Sequence, residues 1–118
     1  MVRRSTNRAA APASRPSTVA LDMDVVHKAL ANPVRRNILA WLKTPEVCFS
    51  EQEHSLELGV CAGQIDARAG LSQSTVSAHL AILQRAGLVT SRRVGQWVYF
   101  KRNETTIQAF LDHMHQAL

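Results

Sequence analysis

A mainly α-helical domain carrying one small β-hairpin near its C-terminal end is the fold class this sequence predicts. Three observations carry it. Apolar residues recur at three- and four-residue spacing through most of the 118 positions. Capping and breaking residues (Asn32, Pro33, Gly70, Ser72 and Gly87) fall between those periodic stretches. One β-rich run, Trp97, Val98, Tyr99 and Phe100, follows a turn at Gly95. The length suits a single domain, and 46% hydrophobic with only 5% aromatic residues suits an aliphatic core. No apolar run approaches the roughly 20 residues of a membrane span, so a soluble cytoplasmic protein with no membrane partner is expected.

Residues 1–18 hold Arg3, Arg4, Arg8 and Arg15, no acid, and Pro12 and Pro16. They read as a disordered basic arm, with an organellar transit peptide as the lesser alternative. The folded domain is expected over 19–118. Its first helix covers about 20–31, with Met23, Val26 and Leu30 at helical spacing. Asn32 caps and Pro33 opens a second helix to about residue 42, burying Val34, Ile38, Trp41 and Leu42. Arg35 and Arg36 fall mostly off that face. The acidic stretch 45–58 reads as a loop with at most a turn of helix.

A short helix over 61–69 closes at Gly70, and Ser72 caps a longer one from Gln73 to about Arg85, stopped by Gly87. Val76, Leu80 and Leu83 lie at i, i+4 and i+7 and lock this helix inward. Residues 88–102 form two short strands. The last helix, about 104–118, carries Ile107, Phe110, Leu111, Met114 and Leu118 along one apolar face.

Helix, sharp turn, capped helix and hairpin, in that order, are the parts of a winged helix-turn-helix. The exposed side of the 73–85 helix begins with Gln73, Ser74 and Thr75, and Ser77 and Ala78 follow. Short hydrogen-bonding side chains of this kind suit a helix that enters the major groove of double-stranded DNA. The net charge of +5 points the same way, because its basic part is concentrated. Between residues 65 and 102 the only acid is Asp66, against Arg68, Arg85, Arg92, Arg93, Lys101 and Arg102. Arg92, Arg93 and Gln96 sit on the hairpin, where a basic ribbon can follow a phosphate backbone or enter the minor groove. Trp97 and Tyr99 are expected to pack the ribbon down.

Three stretches resemble the ArsR-type bacterial repressors: KALANPVRRNIL at 28–39, GLSQSTVSAHL at 70–80, and the wing pieces AGLV at 86–89 and RVGQWVY at 93–99. The resemblance covers about 20–115. It implies a homodimer joined through the first and last helices, which binds a two-fold operator and leaves it when an effector arrives. Met23, Ile107, Phe110, Met114 and Leu118 are the expected dimer residues.

The effector stays open among thiol oxidation, an organic ligand and a metal or metalloid. The family's Cys-x-Cys pattern before the recognition helix falls here on Cys61 and Gly63, so one thiol is present and one is missing. Soft metals want two or more thiolates. Asp112, His113 and His115 on the last helix do not have the spacing of the family's other metal site, and no metal or cofactor is expected. His54 and His79 read as structural or surface residues. Cys61 and Cys48 are the candidate thiol sensor. No catalytic motif is present, so an enzyme is not expected. The alternative is a winged helix that binds a protein partner and no DNA.

Overall fold

The computed structural model describes residues 21–52 and 55–118; the basic arm at 1–18 and His54 lie outside them. Helix α1 spans Met23–Leu30, α2 Pro33–Lys43 and the one-turn α3 Pro45–Cys48. A 3-10 turn at Leu56–Leu58 leads into strand β1, Val60–Cys61. Helices α4, Ala62–Ala69, and α5, Gln73–Arg85, follow. Strands β2, Val89–Val94, and β3, Trp97–Arg102, form the hairpin, and α6 spans Glu104–Ala117.

Local chemistry sets most of these boundaries. Asn32 Oδ1 accepts from the N–H groups of Val34 and Arg35 at 2.8 and 3.2 Å, and Pro33 occupies the first turn of α2. Asp22 caps α1 and Asn103 caps α6 in the same way. Between α4 and α5 the chain must reverse in three residues. Gly70 does this in the left-handed region at φ +67°, which side chains with a Cβ rarely adopt.

The core is one aliphatic cluster. Val26, Ile38, Ile65, Val76 and Leu83 are fully buried in it, and Leu80, Leu88 and Val89 nearly so. Of the residues expected to face inward on α2, Ile38 and Leu42 are buried and Val34 and Trp41 half-buried.

The hairpin is part of a three-stranded antiparallel sheet in the order β1-β3-β2. β2 and β3 pair from Val89 opposite Arg102 to Val94 opposite Trp97, which leaves Gly95 and Gln96 as the two-residue turn. β1 adds Val60 opposite Phe100 and Cys61 opposite Tyr99. This strand corrects the sequence expectation that Cys61 begins a helix. Cys61 is the N-cap residue of α4 but sits in a strand, and its N–H donates to Gln52 Oε1 at 2.8 Å. Gly59 lets β1 come so close: a Cβ there would lie 2.7 Å from the Phe100 carbonyl oxygen.

Among the described residues no helix is long and apolar enough to cross a membrane.

Candidate nucleic-acid interface

Helix α5 is anchored by Val76, Leu80 and Leu83, all buried, and every expected DNA-contact residue on it is exposed. At 100° per residue, the outward face opposite the anchor carries Ser74, Ala78 and Arg85. Gln73 and Ser77 lie on one flank, where they line a cleft of about 230 Å³ that also touches Val98 and Phe100 of β3. Thr75 and His79 lie on the other flank. The five residues singled out on α5 therefore share its exposed N-terminal half but not one line.

Ser72 organises that N-terminus. Its hydroxyl oxygen accepts from the Thr75 N–H at 3.2 Å, and its proton goes to the Thr75 hydroxyl at 2.8 Å. Thr75 thus contributes to the cap. The N–H groups of Gln73 and Ser74 belong to the first turn and have no helical partner, so the positive end of α5 is open to an anion.

The wing stands beside the helix. Gln84 Nε2 donates to Ser91 Oγ at 2.9 Å and ties the C-terminal half of α5 to β2. Alternation along β2 puts Arg93 on the same sheet face as Ser91, Val98 and Phe100, the face toward α5. Arg92 takes the opposite face with Thr90 and Tyr99, beside Glu57 and Leu58. Both arginines and Gln96 are exposed.

Tyr99 is 2% exposed and packs the ribbon down as expected, but Trp97 is 44% exposed beside Val94 at the hairpin tip. The sheet is covered only toward its base, so the tip residue of β3 stays outside. Burial, and after it the neighbouring Cys61 thiol, push the Tyr99 hydroxyl above its usual range. At the foot of the wing Arg102 grips both carboxylate oxygens of Glu104 at 2.9 and 3.1 Å. The Arg102 hydrogen bond holds that carboxyl below its ordinary value; burial opposes it, and the charges of Arg102 and then Lys43 add to the lowering.

Among the expected dimer residues, Met23, Ile107 and Met114 are half-buried and Leu118 is exposed. Phe110 is 9% exposed and meets the His27 ring edge-on at 5.4 Å, so it packs largely inside its own chain. Val25 of α1 and Leu111 of α6, which the sequence reading did not include among the dimer residues, leave apolar surface exposed.

Cys48 and Cys61 are free thiols, half-buried and buried respectively. Cys48 Sγ lies 3.7 Å from the Thr44 hydroxyl. A Cβ at Gly63 would meet nothing within 4 Å, so a second thiol there would find room. Among the described residues no cluster of three or more His, Cys, Asp or Glu could hold a metal ion.

Sequence reasoning missed Arg35. It is half-buried, and its three donor nitrogens reach the Ala29 and Lys28 carbonyls and His79 Nδ1. Periodicity alone put it off the core face, because its partners lie on other elements.

Comparison with known proteins places this geometry. Residues 56–91, which span β1, the helix-turn-helix and the start of the wing, match the family described as "Bacterial regulatory protein, arsR family". The chain is 42% identical to the "Uncharacterized HTH-type transcriptional regulator YbzH" of Bacillus subtilis over 91 residues, 75% of this chain and 91% of that protein. It is 32% identical to the "Transcriptional repressor SdpR" of the same organism, over 78% of this chain and 88% of that one. HlyU of Vibrio cholerae, named a transcriptional activator, has a solved structure that superposes with a TM-score of 0.56 at 33% identity, covering 80% of this chain and 88% of that one. A winged helix-turn-helix domain of Mb0332 from Mycobacterium bovis, solved as a homodimer, gives 0.56 at 28% identity, covering 80% and 76%. The wing, the capped helix and the turn before it are thus shared with regulators along nearly the whole described chain, and the protein belongs to the arsR family of bacterial regulatory proteins, DNA-binding transcriptional regulators that carry out no enzymatic step.

Proposed function

We propose that the chain works in the cytoplasm as a homodimer on a two-fold DNA operator, and that it represses transcription until an effector releases it. Each copy seats α5 in the major groove and lays its wing along the neighbouring backbone. One observation carries the reading: a firmly anchored helix with a small, polar outward face stands beside an arginine-bearing hairpin tied to its flank by Gln84 and Ser91. Ser74, Ser77 and Ala78 add little bulk, and Gln73 can read an adenine edge. Arg92 and Arg93 suit phosphate contacts that fix register.

The dimer reading rests on the apolar surface left by α1 and α6. Met23 and Val25 of α1, Ile107, Leu111 and Met114 of α6, and Leu118 at its C-cap keep area that a second copy would cover. Mb0332 is a homodimer. Two-fold symmetry would set two α5 helices about one DNA turn apart. SdpR bears the name of a repressor and HlyU that of an activator; the resemblance to ArsR-type repressors favours repression.

Of the three effector classes, thiol chemistry has a defined place to act. Cys61 is the residue at which the sheet passes into α4, so an adduct there would press on the helix-turn-helix itself. Cys48 would join as a disulfide partner or stay a half-buried thiol. An organic ligand or a metalloid would show as release in the same assay.

The test is selection of duplexes from a random-sequence DNA pool, followed by affinity against salt. The expected result is an enriched palindrome whose binding falls steeply as salt rises, because neutralised phosphates release counterions. A reporter behind that palindrome gives the sign of regulation, and peroxide, arsenite and zinc are then tried for release. An unenriched pool, with salt-insensitive capture of a protein partner, would overturn the reading in favour of a protein-binding winged helix.

A further inference from the structure

The ties that fix the rotation of α5 are unequal on its two flanks. An apolar stripe resists lifting of a helix far better than it resists a small rotation, since its contacts are not directional. Directional ties come from hydrogen bonds. On the wing flank there is the one from Gln84 to Ser91. On the other flank stands Arg35.

Arg35 belongs to α2, yet it bonds to nothing on α2 through its side chain. Its Nε donates to the Ala29 carbonyl at 2.6 Å and its Nη2 to the Lys28 carbonyl at 2.9 Å. Those are carbonyls at the C-terminal end of α1, where a helix has acceptors to spare. Its Nη1 lies 3.2 Å from His79 Nδ1, near the midpoint of α5. Guanidinium has five N–H donors and no acceptor. For this contact to be a hydrogen bond, His79 has to accept at Nδ1, with its ring proton on Nε2. One rigid planar group thus spans three helices, and its fork fixes the angles between its bonds.

We propose that Arg35 is a positioning residue for DNA recognition, a clamp between the end of α1 and His79 that sets the rotation of α5. The proposal rests on the DNA-binding reading above and deepens it. Arg36 strengthens the α1 side, since its Nη1 donates to the Leu30 carbonyl at 2.7 Å. Because α1 also carries part of the apolar surface assigned to the second copy, a shift at that seam would reach α5 through this group. A lysine in its place would satisfy one acceptor at a time and lose the angle.

The experiment compares Arg35→Gln, Arg35→Lys, His79→Leu and His79→Asn with the wild type on two probes: the duplex that the wild type selects from a random pool, and an unrelated duplex. Arg35→Gln and His79→Leu should each weaken the selected duplex by about tenfold, the range of one charge-assisted hydrogen bond, and leave the unrelated one nearly unchanged. The double variant should lose no more than either single one. Arg35→Lys should fall with Arg35→Gln. His79→Asn, which offers Oδ1 near the place of Nδ1, should recover most of the loss. Additive losses, equal weakening of both duplexes, or no rescue by Asn would overturn the proposal.

Nitrogen NMR of the free protein gives an arm independent of DNA. Nδ1 of His79 should resonate as the bare acceptor and Nε2 as the protonated nitrogen, with that preference lost in Arg35→Gln. A proton on Nδ1 would overturn the clamp directly. A pool that yields no selected duplex overturns the DNA-binding reading and this one with it, whereas a selected duplex with unaltered affinities overturns this one alone.

Discussion

Helices α5 and α6 are nearly equal in length, 13 and 14 residues, and both are amphipathic, yet they leave opposite kinds of surface. α5 buries Val76, Leu80 and Leu83 and turns serines, an alanine and an arginine outward. At roughly 1.5–3 kcal/mol for each fully buried aliphatic side chain, its own chain holds it firmly. α6 buries only Thr106 and Phe110, and it leaves Leu111 51% exposed, with Leu118 at its C-cap 95% exposed. A helix that is anchored by its apolar side and polar outside can meet a hydrated polyanion without rearranging. A helix whose apolar side is only half used gains by meeting another protein. On the function proposed above, the difference suits α5 to DNA and α6 to a second copy, and each role can be broken separately.

The largest effect is expected at α5. Ser77→Glu places a carboxylate on an exposed position that the proposed complex would bring near phosphate, a like-charge cost of several kcal/mol. Operator binding should vanish in a gel shift, while the melting free energy moves by about 0.5 kcal/mol or less, as for other exposed positions. Retained affinity would remove Ser77 from the interface.

Next comes α6. Leu111→Lys puts a charge into the apolar face without touching the buried core of the chain. Analytical ultracentrifugation should show the wild type as a dimer at micromolar concentration and the variant as a monomer. Affinity for the palindrome should then drop toward that of one half-site, because the second helix no longer binds from the same particle. A monomeric wild type would end the contrast between the two helices.

The wing sharpens the comparison with smaller changes. Arg92→Ala and Arg93→Ala should each lower affinity a few-fold for all sequences and reduce the salt slope by about 0.9. The two arginines occupy opposite faces of the ribbon, and only Arg93 shares the face of α5. If one of them touches bases, it should be Arg93: its variant alone would then lose a base preference with the slope unchanged.

Cys61 tests whether the anchored half of the molecule can be disturbed from within. Mild peroxide should weaken operator binding of the wild type slowly and partially, because the thiol is buried, and it should spare Cys61→Ser. Equal release of both proteins would make Cys61 a core residue.

The smallest effect is expected at Thr106. Its hydroxyl is buried without a hydrogen-bond partner among the described residues. Thr106→Val keeps the shape and removes a group whose burial costs free energy, so thermal denaturation should show stability unchanged or raised by about 1 kcal/mol. A clear loss would reveal a partner for that hydroxyl.

Much of the scaffold is written in neighbouring residues. Asn32 followed by Pro33, Gly70 followed two residues on by Ser72, and the turn at Gly95 and Gln96 each act over two to four positions, so the helix starts and the hairpin could be read from spacing. So could the anchoring stripe of α5 and the polar residues opposite it, which follow from helical period alone. The arginine-bearing ribbon was legible for the same reason, but the sequence reading treated Arg92 and Arg93 alike, and the pairing register puts them on different faces. Which of those faces meets α5 was not legible, because only packing of the sheet on the helix decides it. Strand β1 was hidden because two residues carry no period, and its hydrogen bonds are made to a partner about forty positions away. Trp97 looked like a packing residue until the extent of sheet coverage showed that the tip lies outside. Arg35 was hidden most completely: its side chain is held by two carbonyls of the preceding helix and by a histidine 44 residues later. The sequence by itself determined the elements and their polarity, since those depend on local dihedral preferences and periodicity. The tertiary structure alone decided which flanks face one another, because long-range hydrogen bonds and burial exist only once the helices have packed.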